Sequence, residues 1–312
     1  MKSFLITFCS LMLLTGISYA QVTITGQNGS INVPSAFIEK GVARIAVYNS
    51  YYSQTNMFIP NGKLENDTVY GAISYAPLKY INISIGSLDS SSLVDSSQSL
   101  HYSGDLRVGI KSSYEVMPSL SIGALAEVLA YSKVTDIGYN GKAASYTLSL
   151  LVSYNMKRSS IGFPLIANLR IGHLWDNTQN LLTRDEDSLI SPIGKYAMGI
   201  RGDNLTILGI SLLFPLPKYY IEPLIELTSQ FANKYGSYSL TDQSYGSASF
   251  HENPLYLTLG LNVFTPVKGL DVTLGSGISL SKQLTLTQTS GTPVYITPQT
   301  IWIAGISYCI GE

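Results

Sequence analysis

From residue 42 onward, large apolar residues recur at every second position. In Ile81-Asn82-Ile83-Ser84-Ile85-Gly86 they alternate with small or polar neighbours, which gives a strand one apolar face. The same period runs through Leu106, Val108 and Ile110, and through Tyr146, Leu148, Leu150 and Val152. It returns in Leu255, Leu257, Leu259, Leu261 and Val263, in Leu270, Val272, Leu274 and Ile278, and in Trp302, Ala304, Ile306, Tyr308 and Ile310. The pattern predicts twelve strands: 42–52, 67–76, 79–87, 104–116, 119–132, 143–156, 163–176, 204–214, 219–231, 254–265, 270–282 and 300–311. No stretch after residue 20 has a helical period.

The connections alternate as well. Those at Pro77-Leu78, Met117-Pro118, 157–162, 215–218 and 266–269 are short and carry Pro, Gly or Lys. Those at 53–66, 88–103, 133–142, 177–203, 232–253 and 283–299 are long and rich in Ser, Asn, Asp, Gly and Thr. An even number of strands, with short turns at one end and long loops at the other, predicts an all-β fold, a closed antiparallel up-and-down transmembrane β-barrel. Closure follows from hydrogen bonding, because hydrocarbon offers no partner to an open sheet edge. A soluble β-sandwich also alternates, but its wet face carries many Lys and Glu residues. Here only 12% of the chain is charged, and the polar parity is mostly Ser, Thr, Asn and Gly.

Aromatic positions support the membrane reading. Tyr75, Tyr114, Tyr154, Tyr219 and Tyr308 lie near short turns or the chain end and share the apolar parity, as an interfacial girdle requires. Trp175, Phe231 and Trp302 lie near long loops and fit an opposite girdle. Two places are weak. Pro223 interrupts the strand Tyr220–Thr228, which suggests a bulge. Tyr196, Met198 and Ile200 offer a thirteenth strand, or the start of one long, interrupted strand.

Composition and charge then narrow the setting. Lys2, the apolar run from Phe4 to Leu14 and the small residues Ser18 and Ala20 form a secretory signal that predicts cleavage before Gln21. Removing Lys2 from 19 basic residues leaves 18 against 20 acidic, about −2, so the chain has no electrostatic footprint for nucleic acid. Cys9 falls in the signal, and Cys309 alone makes neither an intramolecular disulfide nor a metal site, so no cofactor is expected.

If the apolar parity faces lipid, the other parity brings Arg44, Asp105, Arg107, Lys111, Glu115, Glu127, Arg170, Glu222, Glu226 and Asp271 into one interior. Such charges serve either as a rigidifying salt-bridge ladder or as the lining of a narrow polar pore. Twelve strands enclose more space than the eight whose interior side chains nearly fill, and far less than a wide porin.

Ahead of the first strand, Gly29-Ser30-Ile31-Asn32-Val33-Pro34-Ser35-Ala36-Phe37 leads into Glu39-Lys40-Gly41. This stretch resembles the opening segment of several Gram-negative outer-membrane β-barrel families, among them exopolysaccharide-associated and porin-like proteins. The resemblance implies a porin-like barrel and either a plug or a periplasmic tail at 21–41. It divides the chain into a signal (1–20), that segment (21–41) and the barrel (42–312). It also implies contact with outer-membrane lipid, lipopolysaccharide and the barrel-assembly machinery. Such families commonly end in an aromatic residue; this chain departs from them with Tyr308-Cys309-Ile310-Gly311-Glu312.

Three functions remain. The first is a porin-like channel for small solutes, or a structural surface barrel, without enzymatic activity. The second is a lipid hydrolase in the wall, since His101-Tyr102-Ser103 supplies a base and a hydroxyl. Twelve-stranded outer-membrane phospholipases use such a pair facing lipid, whereas here its face also carries Asp105 and Arg107. The third is a receptor or adhesin acting through its loops. His173 and His251 fit surface positions, Arg201-Gly202-Asp203 is a chance-level tripeptide, and Asp185-Glu186-Asp187 fits a solvated acidic loop.

Overall fold

The computed structural model describes residues 22–56, 62–94, 98–132, 139–182, 200, 204–232, 239–242, 246–249, 255–281, 285–287, 293–295 and 298–311. Twelve strands pair antiparallel into one closed ring. They are β1 (Ala43–Thr55), β2 (Lys63–Leu78), β3 (Ile81–Val94), β4 (Gln98–Met117), β5 (Leu120–Ala130) and β6 (Ser145–Asn155). After them come β7 (Ile166–Trp175), β8 (Leu205–Leu213), β9 (Ile221–Ala232), β12 (Leu255–Phe264), β13 (Leu270–Ser279) and β16 (Thr300–Ile310). The ring closes where β1 meets β16, from Ala43 opposite Ile310 to Tyr51 opposite Trp302. Two small hairpins, β10 (Ser239–Asp242) with β11 (Gly246–Ser249) and β14 (Thr285–Thr287) with β15 (Pro293–Tyr295), stand apart from the ring.

All twelve predicted strands are the twelve strands of the ring, so the fold class read from the alternation holds. The largest departures are at β2, β3 and β4, which run well past the predicted ends. There the register continues through Ser90 opposite Tyr102 and Val94 opposite Gln98. Ladder bonding persists where neither parity is greasy, so a rule that looks for an apolar face stops at the edge of the apolar band.

A bulge interrupts this long hairpin. Leu88 pairs with Asp105 and Ser90 with Tyr102, so Ser103 and Gly104 together oppose Asp89. Gly104 takes the left-handed region there, at φ 81°, which a side chain would resist. The two-residue count from His101 to Asp105 therefore does not carry across the bulge. Pro223, where a bulge was expected, sits in an unbroken register with β12, opposite Leu261. Its carbonyl accepts from the Phe214 amide at 2.9 Å, one residue past β8, so the missing N–H faces the end of that strand.

The outside of the ring is apolar. Ile45, Ile73, Ile85, Ile110, Ile122, Leu150, Ile171, Ile210, Ile225, Leu259, Leu274 and Ile306 are all exposed, one on each strand of the ring. At the short-turn end Tyr75, Tyr114, Tyr219 and Tyr308 are exposed and Tyr154 is half-buried. At the other end two aromatic cross-strand pairs face outward, Trp175 with Tyr146 and Trp302 with Tyr51. An apolar belt between two aromatic rims is the surface of a barrel of the outer-membrane type.

Residues 1–21, Tyr196, Met198, the tripeptide 201–203, the acidic run 185–187 and His251 lie outside the described residues, as do the side chains of His101 and Ser103.

Candidate functional site: the barrel lumen

The interior is built from the parity opposite the apolar belt. Ser74, Asn82, Ser84, Thr147, Ser149, Ser153, Asn168, Ser211, Asn262, Thr273 and Ser307 are buried there. Of the six leucines of the wall that are buried on this parity among the described residues, four stand toward the middle of the ring: Leu125, Leu151, Leu213 and Leu224. They are accounted for by what fills the ring.

Residues 22–36 are folded inside the barrel. Val22, Gln27, Ser30, Ile31, Val33 and Ala36 have no accessible surface. This inner segment forms two short limbs. In the first, the Thr23 amide donates to the Gln27 carbonyl at 2.7 Å and Val22 bridges Asn28. In the second, Gly29 bridges Pro34. Ala36 packs against Leu125 and Leu151, and Ile31 against Leu213 and Leu224, so the inward leucines cover its apolar side chains.

Two inward glycines make room for it. A Cβ at Gly209 would lie 2.9 Å from Val33 Cγ2, and one at Gly275 would lie 2.8 Å from Ile31 Cδ1. Any larger residue at either place would push on the segment.

Lumenal charges hold the second limb. The Glu226 carboxylate accepts from the Asn32 backbone amide at 2.9 Å and from its side-chain amide at 2.8 Å. Lys111 Nζ donates to the Ser35 carbonyl at 2.8 Å and the Phe37 carbonyl at 3.3 Å. Ser153 Oγ accepts from the Ala36 amide at 2.7 Å and donates to Asn168 Oδ1 at 2.7 Å. The first limb is bonded more sparsely, by Gln27 Nε2 to Ser84 Oγ and by the Tyr48 hydroxyl to the Val22 carbonyl. Residues 39–41 then turn out to β1, where Glu39 pairs with Arg44.

The remaining charges form smaller groups. Arg170 donates to Glu127 at 2.9 Å and to Ser149 at 3.0 Å, and Arg107 approaches Glu127 at 3.9 Å. Arg107 keeps a third of its side chain accessible, whereas Arg44, Lys111, Glu127, Arg170, Glu222, Glu226 and Asp271 are buried. Glu222 accepts from Asn262 at 3.1 Å. Asp105 accepts from the Ser132 amide at 2.9 Å. Glu115 is exposed at the short-turn end of β4.

The structure thus brings Arg107, Glu127 and Arg170 together, and spends Lys111 and Glu226 on the inner segment. Two of the inward charges, Glu226 and Lys111, thus meet peptide groups of the segment. At the short-turn end a cavity of about 350 Å³ remains, lined in part by Ser35, Phe37, Asn155, Lys157, Arg158 and Asn168. The Arg158 guanidinium lies 5.5 Å from the centre of the Phe37 ring at its edge.

Sequence reasoning missed Gln27, Asn32, Ser84, Ser153, Gly209 and Gly275 as site residues. One signal was available: from Gln21 to Ile38 the chain carries no charge, a composition that suits a buried segment better than a tail in water.

No family model matches the chain, and no curated protein matches it. Among solved structures, the NanC porin is 9% identical with a TM-score of 0.47, covering 85% of this chain and 98% of that one. The KdgM porin is 10% identical with a TM-score of 0.47, at the same coverages. The CymD monoaromatic hydrocarbon channel is 7% identical with a TM-score of 0.43, covering 88% of this chain and 89% of that one. These values mark a loose likeness of shape and nothing finer.

Proposed function

We propose that the protein is a narrow, porin-like channel of the outer membrane for small polar solutes, exported by residues 1–20 and seated among lipopolysaccharide and lipid after assembly by the barrel machinery. One observation carries this reading: the lumen is polar and charged, and it is filled by a segment that leaves the wall at residues 39–41, not by the wall's own side chains. A ring of twelve strands is too wide for inward side chains alone to fill, so the piece of chain inside it sets what can pass. Here Gly209 and Gly275 recede from the axis, and Glu226 and Lys111 bind peptide groups of the inner segment.

Planar-bilayer recording tests the reading. The full chain should show small current steps in potassium chloride, and deletion of residues 22–37 should raise the step size at least tenfold. A deleted barrel that folds, resists proteolysis and passes no current would leave a structural role for the protein and remove the channel.

A further inference from the structure

The inner segment is held unevenly, and the unevenness marks a route. Its second limb engages Glu226, Lys111 and Ser153 through seven hydrogen bonds. Its first limb has two such bonds, Gln27 to Ser84 and Tyr48 to Val22. Five side-chain atoms buried among the described residues lack a hydrogen-bond partner: Gln27 Oε1 on this first limb, and Arg44 Nε, Ser74 Oγ, Asn82 Oδ1 and Glu127 Oε1 on β1, β2, β3 and β5, with Glu127 Oε1 lying 3.9 Å from Arg107. These positions adjoin one another across the wall. Arg44 pairs with Ser74, Ser74 with Ser84, Ser84 with Gly109, and Gly109 with Glu127.

A buried polar atom without a partner keeps its full desolvation cost for as long as it stays dry. Parting the first limb from β1–β5 frees Gln27 Oε1 and gives up two hydrogen bonds and the packing of Val22 on Val42, Ala46 and Tyr48, whereas parting the second limb from β4, β6 and β9 breaks seven bonds. We propose that solutes pass between residues 22–28 and the inner face of β1–β5, as the first limb lifts while residues 30–37 stay bound. This deepens the channel reading and rests on it. The opened passage presents donors and acceptors side by side, at Arg44, Ser74, Asn82 and Glu127, and continues toward the accessible Arg107. That mixture suits small solutes that both donate and accept, such as hydroxylated or zwitterionic molecules, over bulky or wholly apolar ones.

Two disulfide tethers separate the limbs. Gln27→Cys with Ser84→Cys ties the first limb to β3, where the native atoms are 2.5 Å apart. Ser35→Cys with Ser153→Cys ties the second limb to β6, where the hydroxyls are 3.1 Å apart. Each protein is recorded in potassium chloride before and after reduction, so its own reduced form controls for folding. The first tether should cut the ion current at least tenfold and reduction should restore it; the second should leave the current within twofold. Hydrogen exchange on the untethered full chain should be at least tenfold faster at the amides of 22–28 than at those of 30–36. Equal silencing by both tethers, no effect of the first, slower exchange in the first limb, or a silent full chain would overturn this route. If the barrel lacking 22–37 still conducts, the channel reading survives that failure; if it does not, the channel reading fails by itself.

Discussion

Leu150 and Leu151 are neighbours in β6, yet one is 63% exposed and the other has no accessible surface. Leu150 belongs to the belt that meets hydrocarbon, where the only demand is to be apolar and almost any large side chain serves. Leu151 faces inward against Ala36 and Leu125, where volume and shape are fixed by particular neighbours. The wall therefore obeys two rules on its two faces. Outside, one solvent sets a uniform requirement. Inside, each position answers to the piece of chain or charge in front of it.

The strongest challenge to this contrast is Glu127→Leu. On the lipid face an apolar residue is welcome, but here it strands Arg170 and Arg107 without their shared carboxylate, and removing one partner of a buried pair costs about 3–5 kcal/mol. Urea unfolding in detergent micelles measures the loss, and a stable Glu127→Leu barrel would show the inner charges to be interchangeable. Leu150→Arg tests the outer rule, and a charge near the bilayer midplane should cost about 2–4 kcal/mol. A cost near zero in lipid would mean that this side chain never meets acyl chains. The smallest effect sharpens the inner rule. Gly209→Ala places a methyl group against Val33 and should cost about 1–3 kcal/mol, as overpacking does. Adding Val33→Ala should recover at least half of it, and simple additivity of the two changes would break the claimed contact.

The same contrast explains what could be read from the chain. Strand number, turn and loop ends and the outward parity were legible because one hydrocarbon solvent imposes period two on every strand. Ile45, Ile85 and Ile306 sit far apart in sequence and obey one requirement. Lys111 and Glu226 were legible as inward charges, but not as partners of Ser35, Phe37 and Asn32, because a contact between residue 32 and residue 226 leaves no local pattern. Leu125 and Leu151 break the inward polar parity, and they make sense only once Ala36 is seen against them. The bulge at Ser103–Gly104 was hidden for another reason: a single extra residue in one strand changes which positions share a face without changing composition. It matters for the pair His101 and Ser103, whose placement had been inferred by counting from Asp105.

The junction of β1 with β16 has a consequence for how the molecule stays together. Those are the first and last strands of the ring, so sealing them is the step that turns a curled sheet into a cylinder. Residues 22–36 adjoin β1 and touch Ser84, Ser153 and Glu226, on strands spread around the circumference. A segment that touches strands so far apart in the ring ties the seam of the cylinder to its opposite wall, so the interior, as well as the β1–β16 ladder, resists reopening along that seam.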